Sequence, residues 1–171
     1  MSFEEIRVIT VVYLAVFLPL LIYFQNKSRL PSWVPTFYII GVIVCALGWE
    51  LWFTYGWLDG DSVNLRRSEA LNSWLPKNIN WLMNSMGDAG AVLLGGAWIM
   101  WLSHKKDVKV FKEWKWSAFC ILLIWCIGQN ILVEMFLYHD QLAEGKPLSW
   151  APLSPLGPYF NPTLFEFNDR T

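Results

Sequence analysis

Residues that build soluble enzyme sites are scarce in this chain. Only 16% of it is charged, and histidine occurs twice, at positions 104 and 139. Both histidines end apolar runs, on opposite sides of the membrane inferred below. A bis-histidine haem within the bilayer therefore has no ligands, and both residues read as interfacial. The three cysteines, Cys45, Cys120 and Cys126, all lie inside apolar runs, so neither a disulfide in an exposed loop nor a zinc site is indicated. No glycine-rich phosphate loop, nucleophile elbow or internal repeat occurs. No lysine falls in the middle of an apolar run, which argues against a retinal Schiff-base pigment. Asn26-Lys27-Ser28 matches a glycosylation acceptor but falls on the inner side, and Asn161-Pro162-Thr163 is blocked by its proline. Neither a cofactor, a metal nor a nucleic-acid partner is expected.

Apolar residues are abundant instead: 55% of the chain is hydrophobic and 17% aromatic, far from a soluble globule. A hydrocarbon core ~30 Å thick needs roughly 20 apolar residues per helix. Four such runs occur, at 6–25, 37–57, 79–103 and 115–138, each too long and continuous for an alternating barrel strand. The expected fold is an all-α membrane protein, a single domain over 1–171 with four transmembrane helices in an antiparallel bundle. The first run follows Glu4 and Glu5 rather than a basic segment and precedes no small-residue cleavage site, so it reads as a retained span. Lys27 and Arg29 in the first connection, and Lys105, Lys106, Lys109 and Lys112 in the third, place those connections inside by the positive-inside rule. Both termini and the 58–78 connection then face outward. The tail, 139–171, carries Pro147, Pro152, Pro155, Pro158 and Pro162 among apolar residues and is expected to fold back as an extended outer cap. A bacterial inner (plasma) membrane is the expected location.

Within these runs the polar residues are placed unevenly. A charge at mid-bilayer costs at least ~2.5–3.5 kcal/mol on insertion scales, so each needs a partner, a cavity or a task. Glu50 precedes Trp57 by seven residues, about 10 Å of helix at ~1.5 Å per residue, and Thr54, Trp57 and Asp61 continue the same face. Asn80, Asn84 and Asp88 follow one another at i+4 steps in the third run. Gly87, Ala91 and Gly95 form a small-residue ladder there, which lets a neighbouring helix approach closely. In the fourth run Asn130 and Glu134 are again i and i+4, with Gln129 alongside. Antiparallel order brings Glu50, Asn84, Asp88, Asn130 and Glu134 to the outer half of the membrane, with no in-span lysine or arginine there beyond Arg7, at the outer end of the first run, to neutralise them. Carboxylates gathered in a low-dielectric site cannot all be ionised, so one is expected protonated or the site holds a cation. A protonated acid beside an ionised one is the requirement for proton transfer. The competing role is interhelical hydrogen-bond glue, which Arg66 and Arg67 as counter-ions from the outer connection would favour.

Of the twelve tryptophans, Trp33, Trp74, Trp101, Trp114, Trp116 and Trp150 fall at expected interfaces as an aromatic belt. Trp49, Trp52, Trp57, Trp81 and Trp125 instead neighbour the acids, where a π-face can hold a cation or a developing positive charge, or simply pack. The stretch LGWELWFTYG resembles the Trp-Glu…Tyr signature of integral-membrane terpene cyclases of fungal meroterpenoid and indole-diterpene pathways, with Trp49, Glu50 and Tyr55 at the matching positions. The resemblance implies that Glu50 acts with a second carboxylate from a later helix, Asp88 or Glu134, in protonating an epoxide or alkene. Those enzymes have about seven spans where four are expected here. A looser similarity is to four-helix sterol-isomerase-like membrane proteins, which also surround intramembrane acids with aromatics.

The leading expectation is a membrane enzyme in which Glu50, Asp88 and Glu134 supply acid/base chemistry on a lipophilic, isoprenoid-like substrate. Trp49, Trp52, Tyr55, Trp57, Trp81 and Trp125 would line its site, and Asn84, Gln129 and Asn130 would orient the acids. Expected partners are membrane lipids, a lipophilic small molecule and other membrane subunits. One rival is a proton- or cation-coupled transporter, which needs a polar path to the inner side that the apolar inner halves lack. The other is an accessory subunit of a larger membrane complex, for which the Asn80–Asn84–Asp88 stripe would be plugged by side chains rather than open.

Overall fold

The computed structural model describes residues 1–28, 30–56 and 62–133. Among them the chain is helical throughout, with no strand. Helix α1, Phe3–Asn26, opens on a capping box: the Ser2 hydroxyl accepts from the Glu5 amide at 3.2 Å, and the Glu5 carboxylate accepts from the Ser2 amide at 2.6 Å. Its Val8, Val12 and Val16, at i+4 spacing, pack on Leu71, Leu75 and Met83. The rest of its surface, including Leu14, Phe17, Leu18, Leu21 and Ile22, is exposed and apolar, as suits a helix in lipid.

The second expected span is not one straight helix. Helix α2, Val34–Leu47, and helix α3, Trp49–Tyr55, meet at Gly48 with a 47° bend. At Gly48 the chain turns so tightly that a Cβ would stand 2.8 Å from the Val44 carbonyl oxygen. Gly56, left-handed at φ 71°, closes α3. The connection that follows carries two short helices, α4 (Val63–Arg66) and α5 (Glu69–Trp74).

The third span runs from Lys77 to Ser103, as α6 (Lys77–Gly87), a π-helical segment (Asp88–Leu94) and α7 (Gly95–Ser103). A 3₁₀ turn, Val108–Phe111, leads into α8, Trp116–Leu132. The third span is central: α1 and α2 pack on α6 and the π segment, and α8 packs on α7. The expected small-residue ladder is divided by the π segment, whose wider turn shifts the register. Gly87 and Gly90 face α1, at Ala15 and Pro19, whereas Gly95 and Gly96 receive the Trp125 ring from α8.

By length and composition two helices suffice to cross a membrane, Phe3–Asn26 and Lys77–Ser103, and a third if the bent α2–α3 pair is one span. The second expected span is broken at Gly48, and of the fourth the described residues show the helix Trp116–Leu132. Glu134, the end of that run and the tail lie outside the described residues, as do Arg29, Trp57 and Asp61.

Gly90 and Gly128 test this packing in opposite directions. A Cβ at Gly90 would meet the Pro19 ring at 2.9 Å and the Ala15 carbonyl oxygen at 3.2 Å, whereas one at Gly128 would meet nothing within 4 Å among the described residues. Gly90→Ala is therefore expected to lower the thermal unfolding midpoint in detergent. Gly128→Ala is expected to leave it unchanged or raise it, by up to ~1 kcal/mol of helix propensity.

Candidate functional site

Glu50 sits in the first turn of α3, 2% exposed. The bend at Gly48 directs this turn toward α6 rather than along the axis of α2, and α3 packs on α6. One turn on, the fully buried Thr54 donates its hydroxyl to Glu50 Oε2 at 2.9 Å. The Asn80 amide, also fully buried, donates to Thr54 Oγ1 at 3.4 Å, and its Oδ1 accepts from Arg67 Nη1 at 2.9 Å. Four side chains from α3, α6 and the α4–α5 junction thus form one hydrogen-bonded row.

Arg67 anchors that row. Its Nε donates to Asn72 Oδ1 at 3.0 Å and its Nη2 to the Leu75 carbonyl, so the planar fork is met on three sides while only 6% exposed. Asn72 is itself held, donating to the Asn64 carbonyl at 2.9 Å. Burial, and secondarily the charge of Arg66, lower the Arg67 guanidinium to about 10. Burial of its charged form therefore costs stability at neutral pH, a burden that lifts only as pH rises above about 10 toward the ordinary guanidinium range. The three acceptors offset it. Arg66, the other expected counter-ion, turns its guanidinium over the Phe53 ring, 4.9 Å from the centroid, and donates to the Phe53 carbonyl.

The α6 stripe continues away from this row. Asn84 is buried, and its Oδ1 has no hydrogen-bond partner among the described residues. Asp88 follows, partly buried, as the first residue of the π segment. No group of three His, Cys, Asp or Glu able to hold a metal occurs among the described residues.

The aromatics divide. Trp49 and Trp52 meet with ring centroids 4.8 Å apart and planes tilted by 48°, and both pack on Phe53 and Val63. Tyr55 faces the end of the bundle, donating to Asn78 Oδ1 at 2.9 Å with Lys77 Nζ 5.3 Å over its ring. Trp81 donates its indole N–H to the Ala46 carbonyl beside the break, at 2.8 Å. Trp125 is placed differently from the expectation: it donates to the Ala91 and Val92 carbonyls, at 3.2 and 3.1 Å, and so serves the π segment rather than Glu50. From this antiparallel contact, one further turn of α8 puts Gln129 and Asn130 at the level of Asp88. Gln129 donates to its own helix, at the Cys126 carbonyl 3.3 Å away. Trp57 and Glu134 lie outside the described residues.

Two features had no place in the sequence reading: the π segment and the break at Gly48. Gly87-Asp88-Ala89-Gly90, small residues around a mid-helix acid, was the available signal for the first. Gly48 beside Trp49-Glu50 was the signal for the second. Compared with protein-family models, curated proteins and solved structures, the chain matches none. The resemblance in Trp49, Glu50 and Tyr55 therefore stands on those residues alone.

Arg67→Lys keeps the charge, but an ammonium cannot meet Asn72, Asn80 and the Leu75 carbonyl in one plane. Unfolding in detergent is expected to show a loss of about 2–4 kcal/mol. Lys77→Arg, at the exposed Tyr55 edge, is expected to change stability by less than ~1 kcal/mol.

Proposed function

We propose that the chain is a membrane-embedded enzyme using carboxylate acid/base chemistry on a lipophilic, isoprenoid-like substrate, with Glu50 and Asp88 as the described acids. The observation that carries this reading is the buried Glu50, with the buried Asn84, whose Oδ1 has no hydrogen-bond partner among the described residues, one turn before Asp88 on the helix against which α3 packs. Thr54 fixes one oxygen of Glu50, so its proton would be exchanged from a defined direction. The Trp49–Trp52 pair offers π-faces to positive charge developing on an isoprenoid. Glu134 is kept as an alternative second acid on the strength of the sequence. In this reading the chain termini and the connection containing Arg67 face outward, in a bacterial inner membrane, with the basic connections inside.

A second reading, an accessory subunit, is favoured by one observation: Asn80 is plugged, fully buried between Arg67 and Thr54. In that case the row fixes helix packing and Glu50 has no substrate.

Lipophilic compounds that co-purify with the wild type and with Glu50→Gln separate the two. The enzyme reading expects the variant to stay folded, to accumulate an unreacted isoprenoid-like compound, and to turn over supplied isoprenoid epoxide at least ~100-fold more slowly. Identical lipid profiles, with equal turnover or none in both proteins, reject it.

A further inference from the structure

A cavity of ≈ 770 Å³ opens at the opposite end of the bundle, between α2, the π segment and α7, the 3₁₀ turn and α8. It is within the range of small-molecule sites. Trp33, Phe37, Leu93, Met100, Phe111 and Leu122 make its walls, and Lys112 is the one charged residue among its described lining.

This cavity is held open by specific contacts. Phe111 meets Trp33 edge-on at 5.1 Å, joining the 3₁₀ turn to the start of α2, while Val110 anchors the turn among Met100 and Ala118. Asp107 caps the turn through the Lys109 amide at 2.9 Å. His104 links α7 to α8 from both ring nitrogens, at the Met100 carbonyl 2.8 Å away and Ser117 Oγ 2.9 Å away. Exposed Trp114 and Trp116 mark this end as a membrane–water interface.

Charge in the connection that includes Lys112 is one-sided. Segment 104–116 carries Lys105, Lys106, Lys109, Lys112 and Lys115 against Asp107 and Glu113. An apolar cavity at this interfacial end, with Lys112 in its lining and a lysine-rich connection contributing Val108, Phe111 and Lys112 to it, complements an acyl chain joined to an anionic headgroup. We propose that it is a binding site for one anionic phospholipid of the adjacent leaflet, acyl chain among Phe37, Met100 and Leu122, phosphate at Lys112. The site shares no residue with the Glu50 row and does not rest on the enzyme reading.

Native mass spectrometry of the full chain in detergent, with equal amounts of dioleoyl phosphatidylglycerol and dioleoyl phosphatidylcholine, tests it. One phosphatidylglycerol should be retained, preferred by about fivefold or more. Ala97→Phe, which puts a ring into the cavity, should weaken retention, and Lys112→Glu should bring the ratio to about one. The wild-type protein supplies a check that needs no variant to fold: Cys126 lines the cavity, whereas Cys120 is exposed on the same helix. Phosphatidylglycerol should slow maleimide labelling of Cys126 but not of Cys120. Equal retention of the two lipids, retention unchanged in either variant, or equal protection of both thiols overturns the proposal.

Discussion

Everything at the α3 end of this protein depends on finding partners for one buried guanidinium. Arg67 is taken out of water between two short helices, and three acceptors from three places meet it. Because Asn80 is one of them, the cation is linked through Thr54 to Glu50, and the connection between spans is joined to the interior of the bundle. A hydrogen bond lost from a charged group is worth ~1.5–3 kcal/mol, so few members of such a row are replaceable. The valine face of α1 closes the same region: Leu71 and Leu75, flanking the row, pack on Val8 and Val12.

In lipid each backbone carbonyl needs a partner within the protein, and the two irregular stretches of helix meet this with tryptophan. Trp81 covers Ala46 beside the break at Gly48, and Trp125 covers Ala91 and Val92 in the π segment. Both breaks bear on the acids. The first turns Glu50 inward at the start of α3, and the second begins at Asp88. Indoles that the sequence offers as candidate walls for a substrate thus include two that repair backbone instead.

Much of this was legible in sequence where one local rule sufficed. The apolar runs gave helices at nearly the expected boundaries, and i+4 spacing placed Asn80 and Asn84 on a buried face. Thr54 lay on the face of Glu50 by the same rule and proves to be its hydrogen-bond donor. The bend and the π segment escaped because helical periodicity assumes a constant turn, and the loss of one turn's register reassigned Gly95 and Trp125 to another interface. Arg67 could be named only as one of two counter-ions. Its place in the row depends on Asn72, Asn80 and Leu75 converging, which no spacing in the chain specifies.

The central claim, that Glu50 and Arg67 belong to one polar unit, is tested most directly by a double-mutant cycle with Glu50→Gln and Arg67→Met, read by unfolding in detergent. A single unit predicts that the two changes are coupled by at least ~1 kcal/mol. Additivity within ~0.5 kcal/mol would contradict it and separate the acid from the cation that organises its surroundings.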